Sequence, residues 1–318
     1  MLTGPGIALI GSRSPRLVTQ WARAAERAGL GSVWFIEDYF QPGAFALAGA
    51  AAAVTERVVI GLGVVNPFTR HPAVLAMETA TLAGIAPERI VLGLGSSNRG
   101  WIETQMGIPF ALPLQAVRES VEIIRRLWQG ERVSCAGRCF TLTGVKLDFA
   151  PAQASLPILL GVKGPKALAM AGEIADGVVC SILSSPGHVR RVRATTARPA
   201  REFPVAAYIP TLIDADGTRA RQQIRPFLAR YLAFLHGQSI LRDAVLAGRP
   251  AAHLVTDAVV DAVSVAGTPE ECRAALARWA EAGLDTPVAV VPPDASLLGQ
   301  IARIGSEIGP FWSEVVSR

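Results

Sequence analysis

Eight short apolar runs recur along this chain, and most are separated by segments long enough for one helix: Ile7–Ile10, Ser32–Ile36, Val58–Val65, Arg89–Leu94, Ile158–Gly161, Gly177–Cys180, Val205–Thr211 and Pro287–Val291. Apolar runs bounded by polar, glycine or proline residues read as strands buried on both faces, as in a parallel sheet. Helical patterns lie between them. Leu17–Ala28 puts Leu17, Trp21, Ala24, Ala25 and Ala28 on one face and stops at Gly29, and Cys272–Ala282 stops in the same way at Gly283. The fragments Ala25-Glu-Arg-Ala-Gly-Leu30 and Ala280-Glu-Ala-Gly-Leu284 are therefore helix exits that return the chain to the sheet. Eight strand–helix units favour a closed (β/α)8 TIM barrel over an open sheet, and 318 residues suit such a barrel with insertions.

Three stretches depart from the rhythm. Trp101–Gly107 reads as a loop or short helix leading into the helix Leu114–Trp128. Residues 132–149, rich in Val, Thr, Cys and Phe around Ala136-Gly137, predict a β-hairpin insertion, and residues 215–248 a mostly helical one. No Ser-, Gly- or Pro-rich linker divides the chain, so 1–318 reads as one domain.

Composition narrows the function classes. Half of the residues are hydrophobic and 18% are charged, which supports a large core and excludes disorder. No apolar run approaches the roughly 20 residues of a membrane helix, and the opening Met-Leu-Thr-Gly-Pro lacks the features of a secretion signal. Four cysteines are too few for a disulfide framework, which points to the cytoplasm. Cys135 and Cys139 have no second ligand pair, so no metal is expected. The net charge of +5 invites a nucleic-acid partner, but 28 of the 31 basic residues are arginines, which looks like the codon bias of a GC-rich bacterium. They are spread over helices rather than gathered in a tract. The densest group, His188-Val-Arg-Arg-Val-Arg193 with Arg198 and Arg201, reads as a solvated helix face.

Polar residues gather where the apolar strands end, which in α/β proteins is where ligands sit. The second strand runs into Glu37, Asp38 and Tyr39, and two carboxylates beside so apolar a run are costly unless solvated, paired or used. Asp38 is either a helix cap or a site group. The third strand delivers Asn66, then Thr69, Arg70 and His71 between two prolines; His71 reads as a cap or salt-bridge partner as readily as a site residue. The fourth strand ends in Gly93-Leu-Gly-Ser-Ser-Asn98, whose glycines allow close backbone approach and whose Ser96, Ser97 and Asn98 offer neutral hydrogen bonds. The fifth ends in Gly161-Val-Lys-Gly-Pro-Lys166, which places two of the chain's three lysines at a helix N-terminus, against the macrodipole. A bound anion would turn that conflict into a site, with Ser181 after the sixth strand adding a hydroxyl; solvent-exposed lysines are the alternative.

In this order the elements resemble the luciferase-like flavin- and deazaflavin-dependent oxidoreductases. The resemblance rests on Ala22–Leu30, Val33–Asp38, Asn66-Pro-Phe-Thr-Arg-His-Pro72 with Ala80-Thr-Leu82, Arg89–Gly95, Gly164-Pro165 with Ala175-Asp-Gly177, and Gly267-Thr-Pro-Glu270. Val65–Pro72 is most similar to the methylenetetrahydromethanopterin reductase branch, which uses the deazaflavin coenzyme F420. The resemblance implies a non-proline cis peptide at Gly63–Val64, forming a bulge that backs the cofactor ring. It further implies Asp38 and Asn66 near the ring system, and Lys163, Gly164 and Ser181 on the side-chain phosphate. The related sugar-phosphate dehydrogenases carry histidine, tryptophan and glutamate where Tyr39, Gly43 and Asn98 stand here. Their acid/base pair is therefore missing, and a sugar phosphate is not the expected substrate.

The reading is an F420-dependent oxidoreductase, in the reductase direction, acting on a small organic substrate. Asp38, Gly63, Val64, Asn66, Ser96, Asn98, Lys163, Gly164 and Ser181 would hold the cofactor, and Tyr39, Glu37 or water would supply the proton. An FMN-dependent monooxygenase is the first alternative and a non-catalytic barrel that only binds is another. No nucleic-acid or membrane partner is expected, and a homodimer is compatible with the reading.

Overall fold

In the computed structural model, which describes residues 2, 4–9, 13–234 and 255–316, the apolar runs become parallel strands. In chain order these are β1 (Gly6–Leu9), β2 (Ser32–Phe35), β3 (Val59–Val65), β4 (Ile90–Leu94), the hairpin strands β5 (Val133–Ala136) and β6 (Thr141–Val145), β7 (Ile158–Leu160), β8 (Gly177–Cys180), β9 (Val205–Ile213), β10 (Val265–Gly267) and β11 (Thr286–Val290). Hydrogen bonding runs β11-β1-β2-β3-β4-β7-β8-β9, and β9 pairs β11, so eight strands close on themselves as a (β/α)8 barrel. β10 pairs with the far end of β9, Val265 opposite Thr211, a short extra strand that the sequence reading does not contain.

The helices are α1 (Val18–Arg27), α2 (Ala44–Ala52), α3 (Pro72–Ile85), α4 (Pro113–Trp128), α5 (Pro165–Ile174), α6 (Pro186–Thr196), α7 (Gly217–Phe234), α8 (Asp257–Val263), α9 (Pro269–Glu281), α10 (Leu297–Arg303) and α11 (Gly309–Val316). α1 buries Val18, Trp21, Ala22 and Ala25, so its inner face is rotated from the expected one and Leu17 is exposed. The expected exits are present: Gly29 and Gly283 have φ of +77° and +93°, with Leu30 N–H reaching Ala25 and Leu284 N–H reaching Trp279. The 132–149 hairpin is antiparallel and docks on α4, where the Glu119 carboxylate accepts three backbone N–H bonds from residues 138–140. Of the helical insertion, α7 is present, and 235–248 lie outside the described residues.

Alternation along each strand sorts side chains into two layers. Ile60, Leu62, Ile90, Leu92, Ile158 and Leu160 belong to the core between strands and helices, whereas Ala8, Trp34, Val91, Leu159, Val179 and Tyr208 fill the barrel interior. The rings of Trp34 and Tyr208 meet edge to face at 5.9 Å. Their bulk dictates glycine on β3: a Cβ at Gly61 would lie 2.4 Å from the Trp34 ring, and one at Gly63 would lie 1.9 Å from the Tyr208 hydroxyl.

At the N-terminal ends of the strands, polar side chains pair with backbone. Glu26 accepts from the N–H groups of Glu56, Arg57 and Val58. Asp176 accepts from Ile158 N and from Arg125. Asp285 accepts from Val205 N and from Arg193, whose guanidinium also reaches the carbonyls of Phe203 and Gly283. The basic segment on α6 is thus only partly a solvated face: Arg190 and Arg191 are exposed, but His188 is buried and Arg193 is pinned beneath the barrel.

Candidate functional site

At the opposite, C-terminal end of the strands lies a cavity of about 630 Å³, within the usual range for small-molecule sites. Its floor is the third strand's exit. β3 bulges between Leu62 and Val65, and Gly63–Val64 is a cis peptide, as the sequence resemblance implies. The Tyr208 hydroxyl, from inside the barrel, donates to Gly63 O at 2.8 Å. The Val64 side chain then lies across the ends of β4 and β7, where a Cβ on Gly95 or Gly161 would approach it to 2.9 or 2.6 Å. These glycines make room for protein atoms, so the Gly-rich turn after β4 serves the bulge.

From β2 come Glu37, Asp38 and Tyr39, all lining the cavity, and Tyr39–Phe40 is a second non-proline cis peptide. Glu37 is ion-paired at 2.5 Å with Arg70, which also contacts Glu78 and stacks over the Phe45 ring. That pair holds Glu37 in place and occupies an oxygen. Burial pushes the Asp38 carboxyl up, an effect opposed by Arg230 on α7. Asp38 is not a helix cap; it faces the cavity with Tyr208, Tyr231 and Arg230 nearby. Burial likewise raises the Tyr39 phenol, against hydrogen bonds from Thr69 and Asn66.

Asn66 lines no part of the cavity. It lies buried behind Tyr39, its Nδ2 donating to the phenol oxygen at 2.5 Å and its Oδ1 accepting from Phe68 and Thr69 N–H. His71 caps α3 by accepting from Ala73 N–H at 3.2 Å, the structural role among its alternatives. Ser96 and Asn98 line the cavity after β4, but Asn98 Oδ1 is engaged by Trp101 N–H, starting a π-helical turn over Gly100–Gln105. That turn brings Trp101 edge-on to Tyr39 at 5.7 Å.

Lys163 and Ser181, from neighbouring β7 and β8, also line the cavity. Burial pushes the Lys163 ammonium down to about 8. Lys166 is exposed and absent from the wall, and Gly164 caps α5 just outside it with open space where a Cβ would be. So the structure gathers Glu37, Asp38, Tyr39, Gly63, Val64, Ser96, Asn98, Lys163 and Ser181, and leaves Asn66 and Gly164 one layer back. Sequence reasoning missed Phe227, Arg230 and Tyr231, which α7 lays over the mouth. The apolar spacing Ile224, Phe227, Leu228, Tyr231 is the signal that this insertion packs back on the barrel. Among the described residues no helix is long and apolar enough to cross a membrane.

The molecule is similar over nearly its full length to known proteins. It is 30% identical over 324 residues to the 5,10-methylenetetrahydromethanopterin reductase of Methanolobus tindarius, covering 95% of this chain and 98% of that one. The same enzyme of Archaeoglobus fulgidus is 31% identical over 315 residues, covering 91% and 94%. The solved coenzyme F420-dependent tetrahydromethanopterin reductase of Methanopyrus kandleri superposes with a TM-score of 0.88 at 24% identity, over 98% of this chain and all of that one. The sequence model of luciferase-like monooxygenases matches residues 2–286, and the chain belongs to that family of oxidoreductases.

Proposed function

We propose that this protein is a coenzyme F420-dependent reductase that passes a hydride from the deazaflavin to an unsaturated organic substrate. The observation that carries the reading is the cavity's two-part wall: a mostly apolar surface of Ile36, Val64, Val179 and Ile182 around the bulge, and a single lysine, Lys163, at the foot of α5. The first suits a flat ring and the second a phosphate, so the residues fit the cofactor. The near full-length similarity to methylenetetrahydromethanopterin reductases supports the choice of deazaflavin.

Bound there, the coenzyme would supply the hydride; the chain supplies the rest. Lys163 and Ser181 would hold the phosphate, with Gly164 N–H at the helix start adding to the anion's surroundings. The Gly63–Val64 bulge would fix the ring's back face, and Asp38 its polar edge. Trp101, Phe227 and Tyr231 line the cavity with aromatic surface and would keep water from the bound ring. Tyr39, protonated at neutral pH, suits donation to the reduced substrate better than Glu37, which Arg70 engages. Asn66, which the resemblance places at the ring, would act through Tyr39.

The family's description as monooxygenases favours an FMN-dependent oxygenase as the second reading. Parallel titrations, read by cofactor absorbance and fluorescence, separate the two. Micromolar binding of F420, tighter than FMN, is expected. Tight FMN binding without F420 binding would overturn the proposal, and F420 binding without any hydride turnover across a substrate panel would favour the binding-only barrel.

A further inference from the structure

The Tyr39 phenol is held by two neighbours whose hydrogen-bond polarity can be worked out. Asn66 Oδ1 accepts from the backbone N–H groups of Phe68 and Thr69, at 3.0 and 3.1 Å. The amide is therefore oriented, and Nδ2 must be the group aimed at the phenol oxygen, 2.5 Å away. The Thr69 hydroxyl has no such fixed direction. It lies 2.8 Å from the phenol oxygen and 3.3 Å from Asn66 Oδ1, so its one proton has two acceptors.

These two positions have different consequences. With the Thr69 proton on Asn66 Oδ1, its oxygen accepts the phenol O–H and the Tyr39 proton is parked inside the protein. With the Thr69 proton on the phenol oxygen, Tyr39 receives two donors and its own proton must find an acceptor elsewhere. Tyr39 lines the cavity, so the cavity is the place for that acceptor. Loss of the proton leaves a phenolate that both donors stabilise.

We propose that Thr69 and Asn66 are positioning residues for proton transfer: rotation of the Thr69 hydroxyl from Asn66 to Tyr39 releases the phenol proton toward the bound substrate. The inference rests on the reading of Tyr39 as the proton donor. In the step, the Tyr39 O–H bond breaks and its electron pair stays on the phenolate, while the proton bonds to the anionic centre that hydride addition leaves on the substrate. A solvent proton then restores the phenol. The charged groups near the phenol are Glu37 on its own segment and Arg70 from the turn after β3, which pair with each other. From the turn after β4 the neighbour is the uncharged Trp101.

The chain has three tyrosines, which gives a readout independent of turnover. Tyr208 and Tyr231 are both pushed up by burial and by Asp38, Tyr208 well above the ordinary value. The first phenol to ionise, followed by ultraviolet difference absorbance, should then be Tyr39, and its transition should vanish in Tyr39→Phe. Thr69→Val keeps the shape and the backbone bond to Asn66 but removes the hydroxyl. It should raise that midpoint by about one pH unit, the scale of one lost hydrogen bond to a charged oxygen, and Thr69→Ser should restore it. Replacing the tyrosines by a fluorinated analogue brings the transition toward neutral pH, so that the folded protein is the species titrated. In turnover, Thr69→Val should lower kcat by about tenfold with KM little changed. An unmoved midpoint in Thr69→Val, or a shift that Thr69→Ser does not reverse, would overturn the inference. A shifted midpoint with full activity in Tyr39→Phe would instead leave the pairing intact and remove Tyr39 from the reaction.

Discussion

The two ends of this barrel use the same residue types in opposite ways. At the N-terminal end, Glu26, Asp176 and Asp285 accept backbone N–H bonds just before or at the start of β3, β7 and β9, and Arg125 and Arg193 close the last two. There, charge is used against the chain's own backbone. At the C-terminal end, Asp38, Lys163 and Arg230 line a cavity, and burial shifts the first two toward neutrality. Charge left facing a cavity lowers stability and is retained where a ligand needs it. The difference teaches where to cut: substitutions below should act mainly on stability and substitutions above mainly on binding and turnover.

The largest expected effect is below. Arg193→Ala removes the guanidinium bonds to Gly283, Phe203 and Asp285 and leaves the Asp285 carboxylate without its cation. A loss of about 3 kcal/mol is expected from breaking so enclosed a pair, read as a lower urea midpoint, with cofactor affinity of the folded protein unchanged. A wild-type midpoint would show the network to be decoration. Above, Tyr39→Phe should lower kcat by about 10²-fold with cofactor affinity unchanged, at a stability cost of about 1 kcal/mol for the buried Asn66 amide that loses its acceptor. Full activity would mean that the phenol only packs and that Glu37 or water supplies the proton.

Lys163→Ala should weaken F420 binding by about tenfold or more, for the loss of one charge-assisted bond. Because the ammonium titrates at about 8, wild-type affinity should be flat below that pH and fall above it as the charge is lost. The mutant's affinity should lack the slope, and equal slopes would return Lys163 to the surface. The smallest effect is again below. Burial raises the Glu26 carboxyl, but the three N–H donors outweigh it and bring it below the ordinary 4.5. Glu26 thus stabilises the fold above that value, and the contribution disappears as pH falls through its lowered folded value. Solvent screening keeps it under about 1 kcal/mol, so Glu26→Gln should cost stability at neutral pH and nothing in acid.

How much of this was legible depended on whether a residue's partner was local. Strand runs, helix exits and the 132–149 hairpin carry their signals within a few residues, and all appear in the structure. α2 was missed because Ala44–Ala52 is nearly all alanine and glycine and offers no polar face to set a period. At the site, the strand-end rule found Asp38, Tyr39, Lys163 and Ser181 as cavity residues. It could not tell that Asn66 turns behind Tyr39, because the turn after β3 orients that amide through its own N–H groups. Nor could it place Arg230, which depends on how α7 folds back over the mouth.

The two rings that meet edge to face inside the barrel also constrain its history. Trp34 and Tyr208 occupy the volume that side chains at 61 and 63 would need, and the Tyr208 hydroxyl is bonded to the peptide that forms the cavity floor. No single step can put alanine at 63 while tyrosine stands at 208. A lineage that remodels this floor must first shorten residue 208, pass through a looser barrel, and only then enlarge residue 63. The four positions should therefore change together or not at all, whereas α7 and the strand-end loops carry no such mutual constraint, so a changing lineage should alter the walls of the cavity long before its floor.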